Sequence, residues 1–330
     1  SPPPAAPPPG DHLLHPRTSV YAMGVVTAQG LAMDSLGTAS ERAGVGGEVS
    51  TGHLDGLWMR ARYATVESGR GQFSADQSQF SLRAGRDLLS DSGSRTGVMA
   101  VVASGSAEVS DHVRPTVTGF ANPLAANVGD VRSTLLGVGV YRTWTASPGG
   151  YFDLTGQIGR LWLSNRASEG TMDDRSGWSA VVSAEAGRRF AVGAGQWSIT
   201  PQAQLLASHV RLGSVNDGTV GVDGSRMTAY RARVGLHFGN SASQGTGPRF
   251  HGLANVWHNL SKDADTTLHG GNDTIVIAPQ FSRTWLEAGV GLEWPTAAAG
   301  RFSVDLRGQR GLGGDDRRAL GVQAHWQLNW

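Results

Sequence analysis

The 330-residue chain contains no cysteine, which excludes a disulfide framework, thiolate metal sites and cysteine catalysis. It has no excess of charge: 28 Lys+Arg stand against 27 Asp+Glu, so no bulk field draws it to nucleic acid. No run of about 18 apolar residues occurs, which excludes a transmembrane helix but not a membrane strand. The start also lacks the charged-then-apolar pattern of a secretory signal.

What the chain does have is glycine, 47 residues of it, and sharply local patterning. Residues 1–10, SPPPAAPPPG, hold six of the fourteen prolines and read as a polyproline-type spacer, with the linker ending near residue 16. Residues 17–42 carry Val20, Tyr21, Met23, Val25, Ala28, Leu31, Ala32 and Leu36 at three- and four-residue spacing, the pattern of a helix with Thr18 or Ser19 as N-cap. Gly24, Gly30 and Gly37 each weaken such a helix by roughly 1 kcal/mol relative to Ala, so it needs a confining environment. Residues 43–56 read as a turn back.

From Leu57 the period changes to two. Met59, Ala61 and Tyr63 alternate with Trp58, Arg60 and Arg62. Similar runs follow around 80–87, 95–106, 133–145, 152–158, 178–185, 197–205, 230–238, 250–260, 285–294 and 302–307. The last run covers Ala319 to Trp330. Its Leu320, Val322, Ala324, Trp326, Leu328 and Trp330 share one face, and Gly321, Gln323, His325, Gln327 and Asn329 share the other. These twelve runs are joined by connections that alternate in character. Short ones such as LSDSGSR, ASPGG, AVGAG and PTAAAG, with the longer GNSASQGTGP of the same composition, alternate with longer, more polar ones at 66–78, 106–132, 163–176, 210–226 and 260–283, and only the last of that second kind, GLGGDDRR, is short. A membrane barrel with turns on one side and loops on the other has that asymmetry, and a soluble sandwich has no reason for it. The expected fold is all-β: a twelve-stranded antiparallel transmembrane β-barrel over 57–330, with the N-terminal helix inside its lumen.

Opposite the apolar faces lie Arg60, Arg62, Arg83, Asp87, Glu185, Gln202, Gln204, Arg231, Arg233, His237, Glu287, Glu293, Asp305, Arg307, Gln323 and His325. Each charge would cost up to ~2–4 kcal/mol at the bilayer midplane, so these groups must face a wet lumen or one another. A helix over 17–42 would be about 40 Å long and ~10–12 Å wide, enough to cross a lumen of this size and plug it.

Two rival readings are weaker. A barrel-rim hydrolase would need a nucleophile beside a base, and Ser261 near His258 and Asn259, or His269 near Asp265 and Asp273, are the adjacencies available. No G-x-S-x-G elbow accompanies them. The stretch KDADTTLHGGND lacks the glycine and final Glu of an EF-hand loop, so Asp263 and Asp265 read as solvated and no metal is expected. A passive porin is the other rival, and a helix in the pore argues against it.

In sequence the chain resembles the translocator domain of type Va autotransporters. GHLDGLWMRARY and QFSLRAGRDLL look like that family's first two strands. GVGVYRTWTASPGGYFDLTGQ resembles its glycine-tyrosine-x-threonine-tryptophan hairpin. WSAVVSAEAGRRFAVGAGQWSITPQAQL is similar to its most recognisable segment, with Pro201, Gln202 and Gln204 in a proline-glutamine-x-glutamine pattern. The resemblance implies a monomeric barrel in the outer membrane of a Gram-negative bacterium, set among phospholipid and lipopolysaccharide and exporting its own upstream passenger. It implies no cofactor and no nucleic acid. Its implied partners in assembly are periplasmic chaperones and the barrel-assembly machinery, with Trp326, Leu328 and Trp330 as the C-terminal signal. Many members cleave the passenger at an asparagine within the barrel. Here the first asparagine is Asn122, so that chemistry does not carry over.

Overall fold

A computed structural model describes residues 14–43, 56–70, 72–91, 93–112, 126–193, 197–216, 221–222, 224–240, 247–261, 266–270, 273–277, 282–296, 300–313 and 316–329. Twelve long strands follow one another antiparallel. They are β1 (Gly56–Arg70), β2 (Phe73–Ser90), β3 (Ser94–Asp111), β4 (Asn127–Ala146), β5 (Gly150–Ala167) and β6 (Met172–Arg188). The second half comprises β7 (Trp197–Leu212), β8 (Arg226–Asn240), β9 (Arg249–Asn259), β10 (Thr284–Pro295), β11 (Arg301–Gly311) and β12 (Arg318–Asn329). Each pairs with its sequence neighbours, and β12 pairs with β1 from Gly56↔Asn329 to Glu67↔Arg318, so the sheet closes. Closure is what lets strands sit in hydrocarbon, because it leaves no backbone edge unpaired.

The outer wall is apolar across its middle. Val138, Val140, Ile158, Val182, Leu205 and Val234 all point outward and are exposed. Aromatic rings bound this belt. At the end with short turns, Trp144 stacks on Phe152 at 5.7 Å and Trp294 on Phe302 at 6.2 Å. At the other end Trp162, Trp178 and Tyr230 face outward. Phe152 and Trp162 lie ten residues apart on β5. At ~3.4 Å per residue and ~40° of tilt they mark a band about 26 Å tall, the height of a barrel's lipid-facing surface.

Several of the many glycines stand opposite aromatic side chains. Gly85 pairs with Trp58, Gly97 with Tyr141 and Gly187 with Tyr151, and in each case a Cβ would collide with the ring. The short β2–β3 turn is held by Asp91, whose carboxylate accepts the amides of Gly93 (3.2 Å) and Ser94 (2.7 Å). Those bonds, the one from Gly93 foremost, hold its carboxyl below the ordinary aspartate range.

Three expectations need correction. The 66–78 and 163–176 segments are not loops: β1 and β2 run on through the first to the pair Arg70↔Phe73, and β5 and β6 through the second to Arg166↔Met172, because beyond the lipid belt the wall continues without needing an apolar outer face. The single 17–42 helix is two helices, α1 (Pro16–Leu36) and α2 (Ala39–Ala43), broken at Gly37, where φ is +74°. Its N-cap is His15, with Pro16 in the first turn, where a missing N–H costs nothing. Ser19 instead donates to the Asp111 carboxylate at 3.0 Å. The Pro-rich start, the 44–55 connector and Trp330 lie outside the described residues.

A cysteine pair at Ala61 and Ala324, Cα partners on the outer face of the closing seam, sits within disulfide reach at a Cα separation of about 4.5–5.5 Å. Ala61→Cys/Ala324→Cys is expected to oxidise to an internal crosslink, visible as faster migration on a non-reducing gel after heat denaturation. A doubly cysteine-substituted barrel that stays reduced would contradict this register.

Candidate functional site: the helix-filled lumen

The 21 residues of α1 are apolar on nearly every side, and eighteen of them are buried. A helix of that kind is stable only when surrounded. At about 1.5 Å per residue it spans roughly 32 Å, the height of the lumen. Its N-terminal end reaches the loop side, where Glu169 in the β5–β6 connection meets Arg17 at 2.9 Å and His15 at 3.2 Å. Its C-terminal end and α2 lie toward the short turns.

The lumen has two zones. Toward the loops its inner wall is apolar: Val101, Ala103, Leu135, Leu161, Leu163, Val181 and Leu206 are buried against Val20, Tyr21, Val25, Ala28, Leu31 and Ala32. The wet, polar lumen expected for the inward charges is therefore confined to the part toward the turns. Gly24 faces that wall closely. A Cβ there would sit 2.7 Å from Asn165 Oδ1 and 3.3 Å from Leu163. Arg175 donates to the Tyr21 carbonyl at 3.3 Å and lies over its ring. Gly30 points the other way, with nothing within 4 Å of its Cβ direction. It lines a cavity of about 80 Å³ between α1 and the β1, β2 and β8 side.

Toward the turns the wall is ionic, and Glu41 of α2 is its centre. It pairs with Arg307 at 2.7 Å, Arg83 at 3.1 Å and Arg60 at 3.4 Å, all with little exposure. Arg83 also donates to the Leu36 carbonyl, which the helix end leaves without an intrahelical partner. Arg42 pairs with Asp153 and lies 4.7 Å from the centre of the Tyr141 ring. Asp34 pairs with Arg231 at 2.8 Å. Glu185 accepts the Ala39 amide at 3.1 Å, and Gln204 donates to the Gly37 carbonyl at 3.4 Å. Gln157 reaches Ser35 at 2.9 Å.

The residues singled out by alternation therefore divide. Arg60, Arg83, Glu185, Gln204, Arg231 and Arg307 touch the helices. Others bond along the wall. Asp87 accepts the Tyr141 hydroxyl at 2.6 Å and pairs with Arg95, and Arg233 pairs with Glu185 at 3.0 Å. Glu287 accepts from Asn255 and Trp257, each at 2.8 Å, and Glu293 pairs with Arg249 at 3.5 Å. Asp305 meets His251 at 2.6 Å and Gln323 at 3.2 Å. Gln202, His237 and His325 are buried and inward, and Arg62 is half-buried beside Asp34 and Glu41. Sequence reasoning left out Asp111, Asp153, Gln157, Glu169 and Arg175. Asp153 and Gln157 alternate with Phe152, Leu154 and Ile158, so the same signal could have placed them. Ser261 and His258 are not paired with each other: Ser261 bonds the Tyr230 backbone and His258 the Thr284 hydroxyl.

The Autotransporter beta-domain family matches residues 57–309. The chain belongs to that family. This autotransporter β-domain is a translocator domain, and its place is the outer membrane of a Gram-negative bacterium. It is 25% identical to the adhesin BmaC autotransporter of Brucella suis over 279 residues, which cover 74% of the chain but only 8% of that relative. In structure it is similar to the transport unit of AIDA-I from Escherichia coli (TM-score 0.68, 17% identity, covering 96% of this chain and 100% of that one). It is also similar to the translocator domain of NalP from Neisseria meningitidis (TM-score 0.63, 12% identity, 95% and 97% covered). The β-domain of Bordetella BrkA is a third such structure (TM-score 0.58, 19% identity, 84% and 100% covered).

Glu41 neutralises three buried guanidinium groups, and removing one partner of such a set leaves the others uncompensated. Glu41→Ala is expected to destabilise the β-domain by roughly 3–5 kcal/mol, measured as a lower unfolding temperature in detergent micelles. An unchanged unfolding temperature would show that α2 is not anchored through this carboxylate.

Proposed function

We propose that this β-domain exports an upstream passenger and then holds the end of the exported segment, α1 and α2, as its own plug. The observation that carries the reading is the match between helix and lumen, apolar against apolar near the loops and Glu41, Arg42 and Asp34 against opposite charges near the turns. The helix N-terminus lies at the loop end, so a passenger joined upstream of it emerges on the side of the long loops. Arg60, Arg83, Glu185, Gln204, Arg231 and Arg307 act as the anchors that stop the chain. Asp87, Glu287, Glu293, Asp305 and Gln323 stiffen the wall. None of these roles needs a catalytic group, and the domain works without enzymatic chemistry, as a monomer.

The C-terminal strand has a second role in this reading. Before closure β12 has a free edge, and strand addition to an open sheet reads backbone groups for affinity and alternate side chains for specificity. Trp326 and Leu328, outward on β12, together with Trp330, form the signal presented to the barrel-assembly machinery after chaperone escort through the periplasm.

Two measurements test these points. Deleting residues 14–43 is expected to raise single-channel conductance in planar bilayers severalfold, since an α-helix occupies a cylinder ~10–12 Å wide. Equal conductance with and without the helices would favour the porin instead. Trp330→Asp is expected to abolish surface display while periplasmic levels are kept. Normal display of that variant would remove the signal role.

A further inference from the structure

On the outer face of β5–β8, three arginines and a tryptophan share one register row. Arg160 is the partner of Trp178, Trp178 of Arg211, and Arg211 of Arg226. Trp178 is 57% exposed, Arg211 and Arg226 are exposed, and Arg160 is half-buried. Arg160 lies 5.1 Å from the Trp178 ring centre and donates to Ser176 Oγ at 2.6 Å, which fixes its guanidinium at the ring. Trp178 belongs to the aromatic girdle at the loop end, so the row sits where hydrocarbon gives way to headgroups.

Like charges directly opposite one another on adjacent strands are destabilising. Arg211 and Arg226 are such a pair, and among the described residues neither has a carboxylate within ion-pair distance. The outward carboxylate on these four strands is Asp174, four residues nearer the loops than Trp178 and opposite Ser164. On the strands of the far side, the outward acids Glu67, Asp76, Glu108 and Asp130 are register partners across β1–β4. Those acids have arginines beside them, with Arg318 opposite Glu67, Arg166 opposite Asp130 and Arg132 paired with Asp130, whereas among the described residues the β7–β8 arginine pair has no such acid.

A phosphate group supplies what this row lacks. Guanidinium forks donate paired N–H groups to phosphate oxygens, and two of them on Cα atoms about 5 Å apart can bracket one phosphate. We propose that the row binds the phosphate of a phosphorylated saccharide lipid in the extracellular leaflet. Arg211 and Arg226 clasp the phosphate, Arg160 completes the cationic edge, and the indole of Trp178 packs against the sugar. The acyl chains descend along Ile158 and Val182, which are exposed on the same face. The proposal rests on the loop end facing outward, as the translocator reading requires.

The test is native mass spectrometry of the full chain folded in detergent, titrated with bisphosphorylated lipid A, with its dephosphorylated form, and with sodium phosphate. A one-to-one lipid A adduct is expected. The dephosphorylated lipid should not form it, and inorganic phosphate at equal concentration should not displace it. Arg211→Gln/Arg226→Gln should weaken the adduct by about thirtyfold, on the order expected for two cations at a membrane surface. Arg310→Gln/Arg318→Gln, which removes another outward pair at the same end, should leave it unchanged. Heat-dependent gel mobility confirms that each variant is folded. Equal adducts from wild type and the Arg211/Arg226 variant, or from phosphorylated and dephosphorylated lipid, would overturn the proposal, as would displacement by inorganic phosphate. Surface display of a fused passenger by the same variant reports separately on the translocator reading and is expected to persist.

Discussion

Backbone amides and carbonyls in hydrocarbon have no water to pair with, and a sheet that spans lipid must therefore have no edge. Here the last two edges meet at β1 and β12, twelve residue pairs long from Gly56↔Asn329 to Glu67↔Arg318. Much of the remaining structure follows from that seam. Closure forces the strands to present one face to lipid and one to a lumen, which produces the alternation. Closing twelve strands also creates a lumen wider than wall side chains alone can fill, which gives a helix of α1's composition a place to be stable.

The lumen and the helix are matched in two different ways, and the order of the two zones matters. The apolar zone near the loops resembles the core of a soluble protein, with Leu135, Leu161 and Leu163 closing on the small residues of α1. Apolar packing of this kind is not directional and would tolerate sliding of the helix along the bore. The ionic zone near the turns supplies the position. Glu41 meets three arginines from β1, β2 and β11, Arg42 meets Asp153 from β5, and Asp34 meets Arg231 from β8. Charges drawn from strands all round the barrel fix height and rotation together, at a point where dielectric screening is low.

Legibility from sequence followed the solvent. Where the outer face meets lipid and the inner face meets water or charge, as at Phe80–Asp87 or Trp178–Glu185, period-two alternation is plain and the side assignments can be read directly. Where both faces are apolar, alternation vanishes. VMAVVA at 98–103, LLGVGV at 135–140 and LWL at 161–163 carry hydrophobic residues on both sides, lipid outside and helix inside. A continuous apolar run of that kind is the mark of a strand buried on both faces, so the apolar zone of the lumen had a signal of its own. The loop-end extensions of β1 and β2 were harder to read, because outside the membrane the outer wall has no reason to be apolar.

The sequence by itself determined the strand count, the faces, the helix and its confinement, and the role of ALGVQAHWQLNW as the closing strand. All of these depend on local periodicity, which a strand or helix imposes on neighbouring residues. Only the tertiary structure decided which inward charges touch the helix and which merely brace the wall. Arg83 and Asp87 stand four residues apart on one face of β2 and are indistinguishable by pattern. Arg83 reaches Glu41 and the helix end, while Asp87 accepts Tyr141 from β4. That difference comes from the tilt of the strands, the break at Gly37 and the depth to which the helix is drawn, and these long-range quantities leave no periodic trace in the chain.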